Sequence, residues 1–163
     1  MIRRVLLVCT GNICRSPLAA VMLGRALGQR NVRDVDVRSA GTGAWDGAPA
    51  SEGAYLVALE NGLDLSEHRA QLLTRDLVEG SDLILTMARH HRARVDELGG
   101  QGRVSVLGEY IGKQGDDAEV SDPFGGDLAI YRDTYTQLEA FIAAAADRLM
   151  REREKEEQRG DRR

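Results

Sequence analysis

Cys9 and Arg15 are separated by five residues in the run Cys-Thr-Gly-Asn-Ile-Cys-Arg-Ser that fills positions 9 to 16. A thiolate is a strong nucleophile, and a guanidinium is a planar fork that takes two phosphate oxygens at once. On one short loop the two supply both an attacking group and a cradle for a phosphoryl group. The run lies between the apolar segment Val5-Leu6-Leu7-Val8 and Pro17, which begins a helical pattern. A buried strand therefore ends at Cys9 and a helix opens at Ser16 or Pro17, where proline loses nothing because its missing N–H would have no partner. Between them the backbone N–H groups of Thr10, Gly11, Asn12, Ile13 and Cys14 can turn inward and join the positive end of the helix as a nest for a dianion. The same positive field favours the thiolate form of Cys9. Gly11 and Asn12 are residue types that tolerate the left-handed backbone such a loop needs. Ser16 is expected to cap the helix and to turn its hydroxyl toward the Cys9 sulfur.

The elements that must position this loop follow from periodicity. Arg3 to Val8 reads as a buried strand and Leu18 to Leu27 as a helix, the first half of a parallel unit. Val35 to Ser39 gives a second strand, ending in the loop Gly41-Thr42-Gly43, and a helix runs from Ser51-Glu52 to about Asn61. Leu65 to Arg75 reads as a connecting segment. The third strand lies around Val78 and Leu83 to Leu85, followed by a helix from Ala88 to Leu98 and a fourth strand from Val104 to Leu107. From Asp127 the pattern is helical, with Ile130, Tyr131, Leu138, Phe141, Ile142 and Leu149 on one face. Four strands alternating with helices predict an α/β fold, a single-domain open four-stranded parallel sheet of flavodoxin-like topology with helices on both faces. Ligands of such sheets bind beyond the carboxyl ends of the strands, where Cys9 and the segment from Ser39 to Gly43 both lie. At that same end, Ser121-Asp122-Pro123-Phe124-Gly125-Gly126 follows the fourth strand. On local sequence Asp122 before Pro123 reads first as ordinary turn chemistry, with the gift of a proton to a leaving oxygen as the alternative that its place allows.

The chain resembles the low-molecular-weight protein tyrosine phosphatases, in the bacterial branch that includes protein arginine phosphatases. The matching pieces are Val8 to Pro17, Ser39-Ala40-Gly41-Thr42, Asp82 to Met87 and Asp122-Pro123-Phe124, in the family's order and over nearly all of the chain to about Met150. The resemblance implies Cys9 as a nucleophile that forms a phosphocysteine and Arg15 as the group that binds the phosphate and its transition state. It makes Asp122 the general acid, then the base that activates water. It implies that Ser39 and His68 join Asn12 and Ser16 in a hydrogen-bond network under the loop, and that Trp45 and Phe124 wall the cleft. Cys14 becomes a reversible disulfide partner for Cys9, as against a small buried filler. The family's tyrosine phosphatases usually continue the acid loop with two tyrosines; here Phe124-Gly125 stands in their place and the wall is lower. The pair His90-His91 reads as a solvated helix face.

The branch leaves two substrates. Arginine phosphatases typically carry threonine at the position of Ile13, and an apolar side chain there cannot hydrogen-bond a guanidinium. Phosphotyrosine is therefore the expected substrate, with phosphoarginine as the alternative. A thiol-linked arsenate reductase of the same fold would need further cysteines, and the chain has two. A silent phosphate-binding module would need neither the thiolate nor the placed acid. Residues 1–150 hold 16 Lys and Arg against 21 Asp and Glu, net −5, and 151–163 hold 6 against 5, net +1. We expect a phosphatase domain over 1–150 and a solvated charged tail over 151–163. The acidic balance argues against nucleic acid as a partner. No apolar run nears the ~20 residues that span a bilayer, and the first residues lack a signal-peptide pattern. The expectation is a cytoplasmic monomer acting on phosphorylated proteins, with no metal or cofactor, since amides, helix end and Arg15 already supply positive charge.

Overall fold

In a computed structural model, which describes residues 1–161, the four apolar runs become strands β1 (Arg4–Cys9), β2 (Asp36–Gly41), β3 (Leu83–Thr86) and β4 (Val104–Val106). All pair in parallel, in the order β2-β1-β3-β4. A parallel sheet is buried on both faces, and the alternation of β1 and β3 divides its side chains accordingly. Val5, Leu7, Cys9, Leu83 and Leu85 join the larger cluster with helices α1 (Arg15–Gln29), α2 (Glu52–Glu60) and α6 (Leu128–Asp161). Leu6, Val8 and Ile84 turn to the other face, against Val78 of α3 (Arg75–Glu79) and Val95 of α4 (Arg89–Glu97). A four-residue helix, α5 (Leu107–Tyr110), takes over where the fourth strand was expected to continue through Leu107.

Three other local expectations shift. Val78 belongs to α3, which Thr74 caps by accepting from the Leu77 N–H, so the third strand is confined to the residues after Ser81. Ile130 lies off the buried face of α6 and is exposed. The charged segment from Arg151 continues α6 as far as Asp161, with no break at Met150. Arg153 is buried there, and its Nη2 lies 2.6 and 2.7 Å from the two carboxylate oxygens of Asp34. Residues 162 and 163, the end of the expected tail, lie outside the described residues.

The carboxyl end of β1 is laced to its neighbour. Thr42 N–H donates to the Cys9 carbonyl (3.0 Å) and Gly43 N–H to the Thr10 carbonyl (2.9 Å). The contact needs Gly41, since a Cβ there would lie 2.4 Å from the Thr10 carbonyl oxygen. The loop after β2 thus fixes where the loop after β1 begins.

Candidate active site

The loop from Cys9 to Arg15 turns on Asn12, a non-glycine residue held at φ +56°. A left-handed asparagine is tolerable when its side chain is tied down, and this one is fully buried and tied at both ends. Its Oδ1 accepts from the Gln71 N–H (2.9 Å), which fixes the orientation of the amide. Its Nδ2 then donates to Ser16 Oγ (2.8 Å) and Ser39 Oγ (2.9 Å). Because Ser16 accepts from Asn12, its own hydroxyl hydrogen is left for Cys9 Sγ, 2.9 Å away. His68 Nε2 lies 2.6 Å from the Asn12 carbonyl, which can only accept, so the ring donates there. Burial of that ring holds its pKa below the usual 6.5.

Helix α1 begins one residue before the range expected for it. Cys14 stands at the N-cap position, without a side-chain cap, and Ser16 is already helical. The expected capping role of Ser16 is thus not the one it plays; its hydroxyl is committed to the asparagine and the sulfur. Pro17 falls in the first turn, as its chemistry requires.

Arg15 is buried. Its Nη1 donates to the Val120 carbonyl (3.0 Å), its Nη2 lies 3.7 Å from Asp122 Oδ2, and its Nε reaches no partner among the described residues. Val120 in turn donates its N–H to the Met87 carbonyl at the end of β3 (2.9 Å), which anchors the acid loop to the sheet. Asp122 Oδ1 accepts from the Phe124 N–H (3.1 Å), so the turn chemistry read from Asp-Pro is present along with the approach to Arg15. Cys9, Thr10, Ile13, Arg15, Asp122 and Phe124 are among the residues lining a cavity of about 210 Å³. Trp45 is not among them. It is 85 % exposed on a loop pinned by Gly47 N–H to the Ala70 carbonyl (2.8 Å) and by Leu72 N–H to Asp46 Oδ1 (2.7 Å).

Cys14 is a free thiol, as is Cys9. Its sulfur lies 3.1 Å from Ser51 Oγ and 3.4 Å from the Tyr131 hydroxyl, which are themselves 3.1 Å apart. Burial raises the Cys14 pKa, and burial together with the Cys14 contact pushes Tyr131 up to about 12. Ser51 and Tyr131 were legible only as a helix start and a core aromatic. Nothing local in the sequence joins residues 80 positions apart.

The reading of His90-His91 as a solvated face fails for His91, which is fully buried. Its Nε2 lies 2.8 Å from Thr10 Oγ1. The missed signal is spacing: His91 and Val95 sit four apart and form the buried stripe of α4, while the intervening charges face water. Burial, then the charges of His90 and Arg15, push the His91 pKa from 6.5 down to about 3, with Glu119 acting the other way. A histidine that stays neutral in the fold contributes stability fully above its unfolded pKa and loses it as pH falls from about 6.5 toward 3. Urea midpoints followed from about pH 7 to about pH 4 should therefore fall more steeply for the wild-type chain than for His91→Gln. Parallel profiles would refute the assignment.

The family model of low molecular weight phosphotyrosine protein phosphatases matches residues 4–156. The chain is 37% identical over 151 residues to the probable low molecular weight protein-tyrosine-phosphatase EpsP of Ralstonia solanacearum, covering 91% of this chain and 97% of that protein. It is 35% identical over 151 residues to the protein-arginine-phosphatase of Bacillus subtilis, covering 91% and 98%. Among solved structures, the arginine phosphatase YwlE, as a mutant with a phosphorylated active-site serine, superimposes with a TM-score of 0.85 at 34% identity, covering 93% of this chain and 98% of that one. Among the described residues no helix is long and apolar enough to cross a membrane.

Proposed function

The chain belongs to the low molecular weight phosphotyrosine protein phosphatases, and from that premise we propose that it hydrolyses phosphotyrosine on proteins, with Cys9, Arg15 and Asp122 as the catalytic residues. The observation that carries the substrate reading is the cavity beside Cys9, where Ile13 and Phe124 present carbon to the leaving group. A guanidinium placed there would lose water without gaining a partner from Ile13, whereas a phenyl ring would lose none it needs.

The geometry supports a two-step reaction. The Cys9 thiolate, steadied by the Ser16 hydroxyl, attacks phosphorus in line with the departing oxygen. An S–P bond forms as the P–O bond to the tyrosine breaks, and Asp122 passes its proton to the phenolic oxygen. The loop amides of Thr10 to Cys14 and the Arg15 fork hold the equatorial oxygens through both transition states. Asp122, now a carboxylate, takes a proton from water; the water oxygen bonds phosphorus, the S–P bond breaks, and phosphate leaves with the thiolate restored.

Around this core, Asn12, Ser39 and His68 keep the loop in shape. Trp45 offers a second aromatic surface to a bound phosphopeptide. Cys14 is the partner that traps an oxidised Cys9 as a disulfide, for which it must leave Ser51 and Tyr131. We read the enzyme as a cytoplasmic monomer acting on phosphorylated proteins, a reading supported by its net charge of −4, which does not favour nucleic acid.

The test is kcat/KM for a phosphotyrosine peptide and a phosphoarginine peptide side by side in reductant, with Cys9→Ser as the blank. A preference of at least about tenfold for phosphotyrosine is expected from one apolar wall. A preference for phosphoarginine would move the protein to the arginine phosphatases.

A further inference from the structure

The reaction set out above gives no part to His91. The ring is buried against Thr10 of the phosphate loop, and its second nitrogen, Nδ1, reaches no partner among the described residues. With Arg15 and His90 nearby and only Glu119 opposing them, the imidazole is neutral, carrying one N–H and one lone pair. Either tautomer engages Thr10: a bare Nε2 accepts the hydroxyl hydrogen, and a protonated Nε2 donates to Oγ1. In both cases Oγ1 is held on the protein side. The staggered Cβ must then send the methyl elsewhere. Thr10 is exposed and lines the cavity, and its Cγ2 lies within 4.0 Å of where a Gly43 side chain would start. With Oγ1 withdrawn, what this side chain has left to offer the cavity is carbon.

We propose that His91 is a positioning residue for substrate choice: by drawing the Thr10 hydroxyl into the protein it leaves the Thr10 methyl, with Ile13 and Phe124, as an apolar wall that favours an aromatic leaving group over a guanidinium. The inference rests on the phosphotyrosine reading of this site. Released from His91, the hydroxyl can rotate toward the cavity. There it would be left unpaired by a phenyl ring but would accept from a guanidinium N–H, so the two substrates respond in opposite directions.

The experiment measures kcat and KM for a phosphotyrosine peptide and a phosphoarginine peptide on the wild-type chain, His91→Leu, His91→Gln and the double variant His91→Leu/Thr10→Val. His91→Leu is expected to lower the tyrosine-to-arginine ratio of kcat/KM about tenfold, mostly through KM of the tyrosine peptide. His91→Gln retains an amide that can hold the hydroxyl and keeps the ratio. The double variant has only methyls at position 10 and recovers it. A packing role alone would make His91→Leu depress both substrates alike, with no recovery on adding Thr10→Val, and that result overturns the proposal. Should His91→Leu fail to fold, Thr10→Ser, which keeps the hydroxyl and deletes the methyl, must lower the ratio by itself; an unchanged ratio overturns the wall. A wild-type preference for phosphoarginine sinks the substrate reading instead, and the dependence of the ratio on His91 is read separately from it.

Discussion

Cys9→Ser removes turnover of aryl phosphates, by roughly 10⁴-fold or more, because a nucleophile that forms the covalent intermediate has no substitute elsewhere in the site. The exchange is nearly isosteric and the site is built to survive it. Ser16, Asn12 and Ser39 hold one another independently of the sulfur, and Arg15 is fixed by the Val120 carbonyl. The variant should therefore bind inorganic phosphate about as tightly as the wild-type chain while failing to turn over. What is lost is the thiolate. A serine hydroxyl is not ionised near neutral pH, and the site offers no base aimed at it: the nearest hydroxyl, Ser16, is a donor here, since its lone pairs already serve Asn12. Steady-state rates in reductant together with phosphate affinity make the check. A Cys9→Ser chain that retained more than about one per cent of the wild-type rate would place the chemistry elsewhere. Loss of phosphate binding alongside the rate would instead mean that the cradle depends on the sulfur.

How much of this was readable before the fold follows from which interactions are local. The loop itself was legible because Cys9, Gly11, Asn12 and Arg15 act through spacing along one turn, and a strand before and a helix after are strong short-range signals. The sheet was legible too, since Val5 to Val8 and Leu83 to Leu85 are apolar without alternation, the mark of strands covered on both faces. The end of β2 was read short: the strand runs to Gly41 where the reading stopped at Ser39, because its last pairing, Cys9 with Gly41, depends on a glycine that weak strand propensity discounts. Two kinds of feature were out of reach. One is the contact between distant residues, such as Thr10 with His91 or Cys14 with Tyr131, which exists only once α4 and α6 are packed. The other is the charged residue buried by an ion pair. Arg153 reads as tail, and its partner Asp34 lies 119 positions away at the far end of the sheet. His91 lies between the two kinds. Its helix is polar on average, yet its four-residue spacing to Val95 marked the buried stripe.

Asp122→Asn is expected to lower kcat/KM by about 10²- to 10⁴-fold on a phosphate ester of a poor leaving group and by much less on one whose leaving group departs without a proton. The asparagine keeps the shape of the turn, since its amide oxygen can still accept from the Phe124 N–H, so the loop should stay in place. It removes two things at once: the proton for the leaving oxygen in the first step, and the carboxylate that activates water in the second. Comparing phenyl phosphate with para-nitrophenyl phosphate separates them. A general-acid role steepens the dependence of rate on leaving-group basicity. A base role instead slows hydrolysis of the phosphocysteine equally for both esters, and a burst of phenol then precedes a slow steady state. The Arg15 contact adds a constraint. Asp122 Oδ2 lies 3.7 Å from Arg15 Nη2, close enough that the carboxylate competes with phosphate for the guanidinium. Removing its charge should therefore tighten binding of inorganic phosphate even as turnover falls, a combination that damage to the loop cannot produce. If the variant loses phosphate affinity and rate together, Asp122 is holding the loop rather than moving a proton, and the acid must be sought on another residue.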